Sequence, residues 1–176
     1  MLHDWGSRDL DFINTNTRMR KRLLAIANAS RTHVCVPLQG SGTFIVEAAL
    51  CTLIPTDGKA LILVNGAYGK RMAKILDYAS RSYLIQETLE DQTPSIDKLD
   101  EALAADADIS HVLAVHCETT SGILNPIEEI SNVVKNRDRS LFIDAMSAFG
   151  AINLDADHIY FDALVASSNK CLEGVP

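Results

Sequence analysis

The sequence predicts an α/β fold, a mostly parallel sheet flanked by helices, and two observations carry that prediction. Short runs rich in Val, Ile and Leu alternate with longer segments of helical apolar spacing, the pattern of successive βαβ units. The runs themselves, such as ALILV at 60–64 and VLAV at 112–115, are apolar throughout, as strands covered on both faces are.

Each element has its own signal. From Asp9 to Ala29 the residues Phe12, Ile13, Met19, Leu23, Leu24 and Ile26 recur at mostly helical spacing among Arg and Lys, which predicts an amphipathic helix. His33 to Leu38 reads as a short strand. Gln39, Gly40, Ser41 and Gly42 break that run, and Thr43 to Leu53 is apolar around Glu47, a buried helix ended by Pro55 and Gly58. A strand from Ala60 to Val64, a turn at Asn65-Gly66, a helix from Tyr68 to Tyr78, a strand from Ser82 to Gln86 and a helix from Ser95 to Ala105 follow, with Ser95 as N-cap. The strand His111 to His116 then leads into the loop CETTSGILN and a helix whose first position is Pro126. A strand from Ser140 to Asp144 and a last one near Asp162 to Ala166 complete the pattern, before SSNK.

No repeat, low-complexity tract or proline-rich linker interrupts this alternation, so residues 1–176 read as one domain. CLEGVP follows the last strand without a closing helix, which reads as a fragment or a truncated product.

Composition narrows the function. With 47% hydrophobic and 22% charged residues the balance is that of a globular protein with a sizeable core. A formal net charge of -7 and a pI near 5.1 argue against nucleic acid or an anionic membrane as partner. Cys35, Cys51, Cys117 and Cys171 are scattered and form no CxxC pair, which predicts reduced thiols in the cytoplasm and no structural zinc. The opening MLHDWGSRDLDF has no apolar signal region, and no stretch approaches the ~18 apolar residues of a membrane span.

Ligands of a parallel sheet gather beyond the carboxyl ends of its strands, so the polar residues after each run are the site candidates. GSGT at 40–43 sets small residues at a helix start, where free N–H groups favour an anion; it lacks the endings of a P-loop or a dinucleotide fingerprint, and phosphate binding and a plain tight turn both fit. Asp144 ends the strand LFID, where a carboxylate calls for a cation such as a protonated pyridine nitrogen, for backbone donors in the next loop, or for magnesium, although the one other carboxylate near a strand end, Glu118, is loop-borne. Lys170 follows DALVASSN with no acid before it back to Asp162, an environment that suits an amine attacking a carbonyl, although most lysines are solvated surface charges. Tyr68 in NGAYG suits either a core ring or one stacked on an aromatic ligand. His116 suits an interior histidine or an acid-base group, and Thr119, Thr120 and Ser121 suit a turn or hydroxyl donors to a bound oxygen.

Taken in order, GSGT, NGAYGKR, HCETTSGILNP, DAMSAFGA and SSNKCLEGVP resemble the 2-aminoethylphosphonate:pyruvate transaminases, class V aminotransferases of the fold-type I pyridoxal-phosphate (PLP) enzymes. The resemblance implies that Lys170 forms the Schiff base with PLP and that Asp144 partners the pyridine nitrogen. It further implies that Tyr68 stacks on the ring, Thr119 lies near the phenolic oxygen, and Ser41, Gly42, Thr43 and Asn169 hold the phosphate. The implied reaction moves the amino group of 2-aminoethylphosphonate through PLP to pyruvate, leaving phosphonoacetaldehyde and alanine, in a homodimer. Members of that family also carry a preceding TPGP-like segment and a following small domain with a substrate-binding arginine, both outside this sequence. The resemblance therefore leaves room for a non-catalytic remnant, or for a related alanine–glyoxylate or serine–pyruvate transaminase.

Overall fold

Five of the six predicted strands form one parallel sheet. The computed structural model describes residues 3–174, so Met1 and Leu2 of the opening stretch and Val175 and Pro176 of CLEGVP lie outside the described residues. The strands are β1 (Lys59–Val64), β2 (Ser82–Glu87), β3 (Ile109–Val115), β4 (Ser140–Asp144) and β5 (Ala163–Val165), in the order β2-β1-β3-β4-β5. The helices are α1 (Leu10–Ile26), α2 (Gly42–Leu53), α3 (Ala67–Tyr78), α4 (Ile96–Ala105) and α5 (Ile127–Asn136).

The unbroken apolar runs are explained by two cores, one on each side of the sheet. Successive strand residues face opposite sides. Leu61, Leu63, Val112, Ala114, Leu141 and Ile143 pack with Leu99 and Leu103 of α4 and Ile130 and Val134 of α5. Their neighbours Ala60, Ile62, Leu113, Val115 and Phe142 pack with Val46 and Leu50 of α2 and Met72 and Leu76 of α3. β2 is an edge strand, and its Leu84 and Ile85 stay exposed.

Parallel pairing brings the carboxyl ends of all five strands to one rim; Val64 pairs with Glu87, and Val115 with Asp144, which pairs in turn with Val165. The chain leaves β1 for β2 on one side and then crosses to β3 on the other, so the strand order reverses between β1 and β3. A crevice opens at such a point.

Three expectations need correction. The segment 33–38 joins no ladder: a strand exists only where a neighbour takes its backbone bonds, and among the described residues none lies beside it. Val34 and Val36 are 77% and 63% exposed, and at the start of the segment the His33 ring stacks on Phe161 and bonds its carbonyl oxygen at 2.9 Å. α1 ends at Ile26 and buries none of its residues, with only Leu23 and Leu24 packed on the core while Phe12, Ile13 and Met19 remain exposed. Pro126, predicted as the first helical residue of α5, is its N-cap, because the helix begins one place later at Ile127. Among the described residues no helix is long and apolar enough to cross a membrane.

Candidate active site

The loops on the sheet's carboxyl rim converge on a cavity of about 170 Å³. All eight predicted site residues, Ser41, Gly42, Thr43, Tyr68, Thr119, Asp144, Asn169 and Lys170, line it. A wider recess of about 420 Å³ lies on the outside of α1, but every residue lining it belongs to that one helix and none is acidic.

The start of α2 forms one wall. Gly40 has φ 149°, and a Cβ there would lie 2.6 Å from Phe44 Cδ1, so the turn into the helix requires glycine. Ser41 is the N-cap, its Oγ accepting from Phe44 N–H at 3.2 Å. That hydroxyl is thus occupied as an acceptor but keeps its own proton to donate. Gly42 and Thr43 are the first two residues of the helix, where N–H groups have no intrahelical partner.

Asp144 ends β4 and is buried, with 3% of its surface exposed. Met146 N–H donates to its Oδ1 at 3.0 Å. Burial pushes the carboxyl above its ordinary value; the Met146 N–H opposes the shift, Glu118 adds to it, and Arg71 and Lys170 oppose it. A carboxylate so placed, opening on a cavity, suits a cationic donor.

Lys170 reaches the cavity from the loop after β5. Its carbonyl accepts Glu173 N–H at 2.9 Å, Gly174 N–H donates to Ser168 O at 2.6 Å, and Cys171 Sγ donates to Ser147 O at 3.3 Å, which ties this loop to the one after β4. Among the described residues no carboxylate pairs with the Lys170 ammonium. Thr119 stands opposite, its hydroxyl bonded to that of Ser147.

Two further groups, one of them the loop-borne Glu118, stand beside the predicted site residues. Arg71 lies one helical turn after Tyr68, its guanidinium 4.7 Å from the Tyr68 ring centroid and its Nη1 donating to Thr43 Oγ1 at 3.1 Å. Spacing of i, i+3 from a proposed stacking ring was the signal available. Glu118, completely buried, accepts from Tyr68 N–H at 3.2 Å. Thr120 turns to Glu118 and away from the cavity, and Ser121 is exposed outside it. His116 also lies outside: it is buried, desolvation pushes its imidazole down toward the neutral form, and its Nδ1 has no partner among the described residues.

The family model for "Aminotransferase class-V" matches residues 6–175. The chain belongs to the class V aminotransferases. The family is PLP-dependent. Over all 176 residues this class V chain is 54% identical to a 2-aminoethylphosphonate–pyruvate transaminase of Pseudomonas fluorescens (strain Pf0-1), covering 48% of it. It is 55% identical to one of Pseudomonas putida (strain GB-1), again covering 48%. The chain therefore spans about half the length of the curated relatives it matches. Among solved structures, pyridoxamine-pyruvate aminotransferase from Mesorhizobium loti superposes with a TM-score of 0.90 at 26% identity, over 99% of this chain and 44% of that one. Alanine–glyoxylate aminotransferase from Nostoc sp. has a TM-score of 0.90 at 20% identity, over 99% and 46%, a likeness of fold.

Proposed function

We propose that this chain is the PLP-binding core of a 2-aminoethylphosphonate–pyruvate transaminase, which yields phosphonoacetaldehyde and alanine. The observation that carries the cofactor assignment is Asp144, a buried carboxylate with a raised pKa that faces Lys170 across one cavity. Identity of 53–55% over the whole chain to several Pseudomonas transaminases of that name supports the substrates.

When bound, PLP supplies an electron sink that lets a bond at the substrate's amino carbon break. The chain's residues do the rest. Lys170 Nζ is the amine that would hold the cofactor, and its free amine would take and return the proton at the substrate carbon. Asp144 would accept a hydrogen bond from the protonated pyridine nitrogen and keep it charged, and the burial that raises the carboxyl's pKa would favour such a cationic donor. The Tyr68 ring would stack on the pyridine face, and the Thr119 hydroxyl would lie near the phenolic oxygen. Gly42 and Thr43 would offer N–H groups to the phosphate at the start of α2, with the Ser41 and Thr43 hydroxyls and the Asn169 side chain beside them.

A cytoplasmic homodimer belongs to the same reading. Four free cysteines support the reducing compartment. Apolar side chains exposed on α1 and over residues 33–38 support association with a second chain.

An assay of alanine formation from 2-aminoethylphosphonate and pyruvate, with Lys170→Ala as control, tests the proposal. Alanine made by the parent and not by the variant supports it. Preference for serine or for alanine and glyoxylate would contradict the substrates, and no transfer from any donor would contradict the activity.

A further inference from the structure

Helix α3 starts without a cap of its own. Its N-cap residue is Gly66, which has no side chain to offer, and no acidic residue lies in its first turn. The first N–H groups of a helix lack intrahelical partners, and that end carries about half a positive charge.

Glu118, 50 residues further along the chain, supplies what is missing. Its carboxylate is 0% exposed; Oε2 accepts Tyr68 N–H at 3.2 Å, and Oε1 accepts the Thr120 N–H at 3.4 Å and the Thr120 hydroxyl at 3.0 Å. Space binds Glu118 to Gly66, because a Cβ at position 66 would lie 2.2 Å from Glu118 Cγ. Only glycine there lets the carboxylate reach the helix. The same two loops are already joined by neutral groups: Asn65 donates to Asn125 Oδ1 at 2.8 Å, and Asn125 donates to Asn65 Oδ1 at 3.2 Å. The carboxylate therefore adds something other than a tie between loops: an acceptor for the end of α3, on the residue that carries the aromatic ring.

We propose that Glu118 is a positioning residue of the cofactor site, holding the Tyr68 backbone, and with it the ring, in register with Thr119, its own neighbour in the next loop. Glu118 does not line the cavity, so it acts through these two residues. The inference rests on the reading of the cavity as a PLP site.

Two measurements test it. In the unaltered chain, hydrogen exchange of the Tyr68 amide should be at least about tenfold slower than that of Thr43, which holds the same second position in α2. An amide at Tyr68 as fast as that of Thr43 overturns the proposal, and this measurement needs no variant to fold. PLP titration of a mutant cycle gives the second reading. Glu118→Gln, which turns an acceptor into a donor facing donors, should weaken PLP binding about tenfold in the parent and less than about twofold beside Tyr68→Ala. Equal losses in both backgrounds would mean a purely structural role and overturn the proposal. Should the unaltered chain take up no PLP, the functional reading fails while the Tyr68 amide still decides the place of Glu118.

Discussion

The carboxyl rim of the sheet and the segment formed by α1 and residues 33–38 are both rich in apolar and polar signals, yet the rim rests on laddered strands while that segment joins no ladder. At the rim the loops after β1, β3, β4 and β5 leave strands of one parallel ladder, so Asp144 and Lys170, 26 positions apart in sequence, line one cavity, and the start of α2 joins them although the segment before it belongs to no ladder. In α1 no residue is buried, and over 33–38 no backbone bond to a strand is made. A side chain is placed by the ladder beneath it more than by its own pattern.

The sharpest way to break this contrast is at Lys170. Lys170→Ala should remove all cofactor fixed by borohydride reduction, read by mass spectrometry. Next comes the core under the rim: Leu113→Ala, at a fully buried position in β3, should cost about 2–5 kcal/mol in urea unfolding. Asp144→Asn should weaken PLP binding about 10- to 100-fold, as loss of a charge-assisted bond of ~1.5–3 kcal/mol implies.

The same substitution should act oppositely on the cofactor-free chain. A carboxyl whose pKa is raised by folding holds its proton more tightly in the folded state. Stability from that group is present below the ordinary value of 3.8 and is lost as pH rises through the raised folded value. Asp144→Asn should therefore stabilise the free chain at neutral pH, by about 0.5–2 kcal/mol, and flatten this part of its pH dependence in thermal unfolding. The smallest effect belongs to the other region: Val36→Ser should shift stability by no more than about 0.5 kcal/mol. A large loss at Val36 would mean that this segment is held as firmly as the rim.

How much was legible follows the same division. Tyr68, Thr119, Asp144, Asn169 and Lys170 were legible because each ends or follows a strand of the sheet, and parallel pairing carries all such ends to one side, whereas Ser41, Gly42 and Thr43 were legible from the glycine turn at a helix start, since the segment before them joins no ladder. β4 matches its predicted bounds, and the other four strands of the sheet differ by one or two residues at their ends. The strand at 33–38 was misread because an apolar run records a preference for pairing and says nothing of a partner. Arg71 was missed although helical spacing put it beside Tyr68. The place of Glu118 at α3 was out of reach, since it depends on two loops meeting in space and on the absence of a side chain at Gly66.

The central claim is that Lys170 and Asp144 form a PLP site. Titration of the chain with PLP, followed by borohydride reduction and peptide mapping, tests it most directly. A single label on Lys170, weakened by Asp144→Asn, is the expected result; no label, or label spread over surface lysines such as Lys74 and Lys135, would contradict it.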